Sequence, residues 1–366
     1  MKRLVVKIGT NVLTRPDGSL DVTRVSALVD QVVRLREMGY AVVIVSSGAV
    51  ACGRTELRLD DDLDSVEQRQ LYSAVGQVRL MDLYYRLFRD YGLSVGQVLT
   101  TKRNFETERE RENQRACMEV MLAHGVVPVV NENDTVSPTE FQFGDNDMLG
   151  AIVSVLVGAD LYVILSDVDG LHTENPAKNP DAPLIERVER ITPEVVAMGG
   201  EAGTAIGTGG MATKLRAARA MISAGIPMVI CKGRGENPLL AAAAGTVRGT
   251  RFEAPGGNHE APRKRWIGLA GVSMGTLTVD KGAERALKEK GASLLPVGVR
   301  EVHGNFESGD VVSVTNTDGE LIGRGLVRYS STDMKKVQGL RSDVIARFLP
   351  EKADQPAVHR DELLVF

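Results

Sequence analysis

The chain has 366 residues, 43% hydrophobic and 25% charged, with a formal net charge of −4. Such a chain is long enough for two domains, and its balance excludes a disordered polymer and a globally basic nucleic-acid binder. Three cysteines, Cys52, Cys117 and Cys231, are odd in number and far apart, which argues against a disulfide framework and for a reduced, cytoplasmic setting.

The chain opens with MKRLVVKIGT. Its apolar run is too short for a secretory signal, and no later stretch approaches a membrane span. Short apolar runs at 4–6, 41–45, 95–99, 126–130, 162–165 and 228–230 read as strands. Almost none alternates with polar residues, as expected for strands covered on both faces. Helical patterns fall between them, at 22–38, 66–90, 105–124, 146–156 and 211–224. Gly39, Gly92, Gly125, Gly158 and Gly225 follow these patterns, where a helix ends on a left-handed residue. Strand and helix in repeated alternation predict an α/β fold, a mostly parallel open sheet sandwiched by helices.

Near residue 260 the text changes. EAPGGNHEAP, at 253–262, has the composition of a linker. Beyond it, GDVVSVTNTDGELIGRGLVRYS reads as two strands joined at Asp318-Gly319. The predicted organisation is a first domain over 1–255, a linker over 256–273, a small β-rich domain over 274–356 and a C-terminal tail over 357–366. Residues 263–366 carry 16 Lys+Arg against 14 Asp+Glu, a weak basic excess that supports the division and little else.

Open parallel sheets bind ligands beyond the carboxyl ends of their strands. Here the strand ends read Lys7-Ile8-Gly9-Thr10, Ser46-Ser47-Gly48-Ala49, Asn131-Glu132-Asn133-Asp134 and Ser166-Asp167-Val168-Asp169, with GDND at 144–147. Taken singly, each is an ordinary turn or helix cap. Taken together they bring glycines, hydroxyls, amides, carboxylates and one lysine to one edge. A further stretch, GTAIGTGGMATKLR at 203–216, places a glycine-rich loop before a helix and Lys214 one turn inside it. Backbone N–H groups there face an anion, and the helix dipole favours negative charge.

Two lysines among carboxylates point to phosphoryl transfer, in which catalysis is positioning plus positive charge on the moving oxygens. Lys7 and Lys214 would flank the travelling group, with Asp147 the candidate carboxylate between them. No histidine or cysteine occurs in these motifs, which favours a carboxylate acceptor and an acyl phosphate product. Asp134 or Asp147 as a general base for a hydroxyl acceptor stays open. Magnesium is expected to arrive on the nucleotide phosphates.

VVKIGTNVLT, VIVSSGAVACG, VVPVVNENDTV, FGDNDMLGA, LSDVDGLHTENP and GTGGMATKLRAA resemble, in order and spacing, the amino acid kinase family. The likeness runs along nearly the whole chain and is greatest to the branch that phosphorylates L-glutamate at the head of proline biosynthesis. Residues 274–356 resemble the PUA domain that members of this branch commonly carry. The resemblance implies that Lys7 and Lys214 contact the phosphates and stabilise the transition state, with Asp147 organising them. It implies glutamate binding by Ser47, Asp134 and Asn146. It implies ATP binding by Lys7, Ser166, Asp167, Thr208, Gly209, Gly210, Met211, Ala212, Thr213 and Lys214. Ser166 stands where the pattern also allows threonine, so the hydroxyl is kept. The single glycine after Lys7-Ile8 favours glutamate over N-acetylglutamate or aspartate. Magnesium, inhibition by proline at or overlapping the glutamate site, and a homo-oligomer (dimer or tetramer) are further implications. The competing readings are a kinase for N-acetylglutamate, aspartate or carbamate, and an RNA-binding PUA protein with a vestigial kinase half. Arg263-Lys264-Arg265 and Trp266 are weak support for the latter, and no stable RNA binding is expected.

Overall fold

The Val- and Ile-rich runs form the centre of one sheet. The structure is a computed structural model describing residues 1–58, 64–105, 108–136, 146–176, 178–199, 210–254 and 273–365. These fall into two compact units, one formed by described residues of 1–222 and 226–254 and the other by 223–225 and 273–365.

In the first unit, β1 (Lys2–Ile8), β2 (Tyr40–Ser46), β3 (Val95–Thr100), β4 (Val127–Glu132), β5 (Leu161–Ser166), β6 (Arg187–Val188), β7 (Met228–Lys232) and β8 (Gly249–Phe252) make one sheet. Its order is β3-β4-β2-β1-β5-β7-β8-β6. Neighbours from β3 to β7 in that order are parallel, whereas β8 runs antiparallel to β7. The sheet is the mostly parallel one expected. β6 and β8 are additions, too short and too polar in sequence to announce themselves.

The helices of this unit are α1 (Thr10–Leu13), α2 (Val22–Glu37), α3 (Ala49–Leu57), α4 (Ser65–Arg89), α5 (Glu108–Ala123), α6 (Asn146–Leu156), α7 (Pro193–Met198), α8 (Met211–Ser223) and α9 (Pro238–Ala244). Leu4, Val6, Ile44 and Val163 of the sheet share a core with Leu28 and Val32 of α2 and Leu80 and Phe88 of α4. All five helix-ending glycines noted above take positive φ. A 3-10 turn over Lys102–Phe105 replaces the start of the helix expected from 105. α4 opens on a capping box, Asp64 accepting from the Val66 and Glu67 N–H groups while Glu67 accepts from Asp64 N–H. Gly53 of α3 and Gly76 of α4 let these helices touch backbone to backbone. A Cβ at Gly53 would fall on the Tyr72 carbonyl, and one at Gly76 on the Ala49 carbonyl.

The second unit has five strands, β9 (Gly275–Val279), β10 (Val299–Gly304), β11 (Val311–Thr315), β12 (Leu321–Val327) and β13 (Val358–Val365), in the order β10-β9-β11-β12-β13. With them go α10 (Lys281–Lys290), α11 (Ser331–Val337) and α12 (Ser342–Ile345). β11 and β12 form the expected hairpin, with Gly319 at φ +82° and Asn316 Oδ1 accepting from the Asp318 and Glu320 N–H groups. One expectation is corrected for the described residues: 358–365, expected within a tail, form β13, which pairs antiparallel with β12 and buries Val358, Leu363 and Leu364. The polar His359-Arg360-Asp361 at its head disguises that strand in the sequence. The linker expected over 256–273 lies, but for its last residue, outside the described residues. Among the described residues no helix is long and apolar enough to cross a membrane.

Candidate active site

β4, β2, β1 and β5 are consecutive in the sheet, so their carboxyl ends deliver their polar residues to one edge. Two backbone bonds lock the first turns together: Ser47 N–H donates to Ile8 O at 3.1 Å and Gly9 N–H to Leu165 O at 3.1 Å. Position 9 is tight: a Cβ there would stand 3.3 Å from the Leu165 carbonyl oxygen and 3.8 Å from Lys7 Nζ. Gly48, at φ +97°, turns the chain from β2 into α3.

Asp147, in the first turn of α6, is the centre of the edge and is fully buried. Lys7 Nζ lies 2.6 Å from its Oδ1 and Lys214 Nζ 3.1 Å from its Oδ2. Thr213 Oγ1 is 3.2 Å from the same Oδ2. Lys7 and Lys214 are only 6% and 4% exposed, so their charges are held where water offers little screening. Burial pushes the Asp147 carboxyl up, but the Lys7 and Lys214 ammonium groups outweigh it and hold it below the ordinary carboxylate value. Tyr162 fixes the helix start by donating its hydroxyl to Asp147 O at 2.8 Å.

Asn146, the neighbour of Asp147, gathers a second cluster. Its Nδ2 donates toward Ser47 Oγ at 3.0 Å, Ser46 O at 3.2 Å and Asn131 Oδ1 at 3.0 Å. Asn131 donates in turn to Gln77 Oε1 of α4 at 3.0 Å. Asp134 stands apart from this cluster and accepts from Arg69 Nε at 2.7 Å. Burial pushes its carboxyl up, and Arg69 opposes that without cancelling it. A cavity of about 500 Å³ opens beside these groups, with Ala49, Gln77, Glu132, Asn133 and Asp134 in its wall.

On the other side of the lysines, Asp167 accepts from Ser166 Oγ at 3.0 Å and from Asn11 Nδ2 at 2.8 Å. Burial raises its carboxyl, while these two bonds and, more weakly, the Lys214 charge bring it below the ordinary value. Gly210 O accepts from Thr213 N–H at 3.2 Å and from Thr213 Oγ1 at 2.7 Å, closing the first turn of α8. Met211 and Ala212 are half-buried within that turn. Thr208 and Gly209 lie outside the described residues, as does Asp145. A second cavity, of about 570 Å³, is walled by Asp167, Asp169, Lys232, Glu236 and Arg248 among others. Among the described residues no cluster of His, Cys, Asp and Glu is arranged to hold a metal ion.

The structure therefore joins Lys7, Asp147, Thr213 and Lys214 in one group, Ser47 and Asn146 in a second, and Ser166 and Asp167 in a third. Asn131, one of the strand-end residues noted in the sequence, joins the second group with Gln77, Asn11 joins the third, and Arg69 holds Asp134; Arg69, Gln77 and Asn11 escaped the sequence reading. The one signal was that Arg69 and Gln77 lie about two turns apart on α4, and so on one face. Residues 2–232 match the model of the amino acid kinase family, and residues 275–349 match the PUA domain. The chain belongs to the amino acid kinase family. This amino acid kinase is 43% identical over 365 residues to a glutamate 5-kinase of Geobacter sp. (strain M21), covering 100% of this chain and 98% of that one. It is 44% identical over 363 residues to a glutamate 5-kinase of Deinococcus radiodurans, covering 99% of each. A carbamate kinase from Giardia lamblia bound to AMP-PNP superposes with a TM-score of 0.52 at 16% identity, covering 69% of this chain and 99% of that one. That likeness is one of fold.

Proposed function

We propose that this amino acid kinase transfers the γ-phosphoryl group of ATP to the side-chain carboxylate of L-glutamate, giving L-glutamyl 5-phosphate and ADP, the first step of proline biosynthesis. The observation that carries the reading is the pairing of Lys7 and Lys214 on Asp147. Full-length similarity to glutamate 5-kinases supports the choice of acceptor.

An oxygen of the acceptor carboxylate attacks the γ-phosphorus while the bond to the β–γ bridging oxygen breaks, and the leaving electron pair stays on ADP. The acceptor is already anionic, so no proton has to be removed. Negative charge on the moving phosphoryl oxygens is met by Lys7 and Lys214, whose places are set beforehand by Asp147. Ser166, Asp167 and the segment from Thr208 to Lys214 hold the nucleotide; Ser47, Asn146 and Asp134 hold glutamate. Magnesium would arrive on the nucleotide and supply positive charge to its phosphates, and Asp167, an exposed oxygen donor, would be suited to face it.

Proline inhibition at the glutamate site, a homo-oligomeric and cytoplasmic enzyme, and the absence of stable RNA binding belong to the same reading. The first two rest on family membership. The last rests on the near balance of 16 basic and 14 acidic residues beyond residue 262. Hydroxylamine trapping tests the core of it: with ATP and magnesium, L-glutamate should yield a hydroxamate, while N-acetylglutamate, aspartate and carbamate should yield little. A hydroxamate from one of those acids and none from glutamate would overturn the assignment.

A further inference from the structure

Arg69 is a residue of α4 that the mechanism above does not use. Its guanidinium reaches two carboxylates at once: Nε lies 2.7 Å from Asp134 Oδ1, and Nη2 lies 3.7 Å from Glu132 Oε2. Both carboxylates close the end of β4, both are buried, and both stand in the wall of the 500 Å³ cavity. Resting on the glutamate kinase reading, we propose that Arg69 is the positioning residue of the acceptor site, orienting Glu132 and Asp134 for an acceptor with a free α-ammonium group.

Burial makes the ionised form of a carboxylate expensive, and an opposite charge beside it offsets that cost. A planar guanidinium suits this task, because its fork fixes direction as well as charge, whereas an ammonium is a point charge. Glu132 and Asp134 set buried carboxylates in the wall of the cavity. Such a wall is complementary to the ammonium of a free amino acid and offers nothing to an N-acylated acid, whose nitrogen is neutral. Among the described residues the charged group acting on Asp134 is Arg69, from α4, and Glu132, from β4, faces the same guanidinium. Without Arg69, burial acts on Asp134 unopposed, so Asp134 protonates at higher pH and ceases to accept from an ammonium.

The test uses the full-length protein and its Arg69→Gln, Arg69→Lys and Asp134→Asn variants, after the parent has been shown to form a hydroxamate from glutamate. A parent that fails there refutes the glutamate reading and not the role of Arg69. In Arg69→Gln, KM for glutamate should rise on the order of tenfold to a hundredfold, with KM for ATP within about twofold. The acid limb of kcat/KM for glutamate should move to higher pH. Arg69→Lys should recover part of the loss, and combining Arg69→Gln with Asp134→Asn should abolish the movement of the acid limb. Thermal melts accompany the kinetics, and Arg69→Lys carries the test if Arg69→Gln does not fold. An unchanged glutamate KM, an equal rise in both KM values, or an unmoved acid limb would each overturn the proposal.

Discussion

Lys7, near the end of the first strand, and Lys214, one turn into α8, hold the two oxygens of a single carboxylate, at 2.6 Å and 3.1 Å. All three side chains are buried. An isolated ammonium in such surroundings is costly, and two side by side are worse. Asp147 offsets that cost and holds both ammonium groups in place. Donors fixed in this way need not reorganise when negative charge spreads over a transferring phosphoryl group.

Replacing Asp147 by Asn keeps the shape and removes the charge. Unfolding free energy should fall by about 3–5 kcal/mol, the usual consequence of breaking a buried ion pair. ADP should recover more stability in this variant than in the parent, because its phosphates return negative charge to the lysines. The depressed Asp147 carboxyl also fixes the pH sign. Its contribution is present above the unfolded value near 4 and disappears as pH falls through the lower folded value. Thermal melts with and without ADP, between pH 3 and 8, read all three effects. An Asn variant as stable as the parent without ADP would show that Asp147 does not hold the lysines.

Gly76→Ala tests the contact between α3 and α4. The added methyl meets the Ala49 carbonyl and the Gly53 N–H, both backbone, so neither can yield alone. Stability should drop by roughly 1–3 kcal/mol or more. Because α4 carries Arg69 and Gln77, KM for glutamate should rise more than KM for ATP. Denaturant melts with parallel kinetics decide it, and parent-like values in both would refute the argument.

His172 places both ring nitrogens on acceptors, Nε2 at 2.8 Å from Asp169 Oδ1 and Nδ1 at 2.7 Å from Ala182 O. Only the imidazolium donates to both. Burial pulls the His172 pKa down, but the Asp169 carboxylate and the Ala182 carbonyl outweigh it and leave it above the ordinary value. Stability from a raised histidine is full below the unfolded value near 6.5 and is lost as pH rises through the folded one. The stability gap between the parent and His172→Gln should therefore be widest near pH 6 and shrink by roughly 1–2 kcal/mol toward pH 9. A gap that stays constant over that range would contradict the protonated bridge.

The central strands were legible because burial on both faces leaves them continuously apolar, and the helix ends because glycine marks the left-handed residue. β13 was hidden by a polar first half, and β6 and β8 by their brevity. At the site, residues at or just beyond strand ends, such as Lys7, Ser47, Ser166 and Asp167, could be found from position alone. Arg69, Gln77 and Asn11 could not. They reach the edge from a long helix and a short one, and their place depends on strand order and helix packing, which no local pattern encodes.

The most direct measurement is a double-mutant cycle on turnover, using Lys7→Ala, Lys214→Ala and both together in the glutamate-dependent hydroxamate assay. Lys214→Ala should stay folded, though less stable, and lose at least about 10²–10³-fold in kcat, and Lys7→Ala should lose a comparable factor. The double variant should fall little below the weaker single one, because both ammonium groups act on one phosphoryl group. Losses that multiply in full, or near-parent turnover in Lys214→Ala, would mean that the two lysines do not share a phosphoryl group.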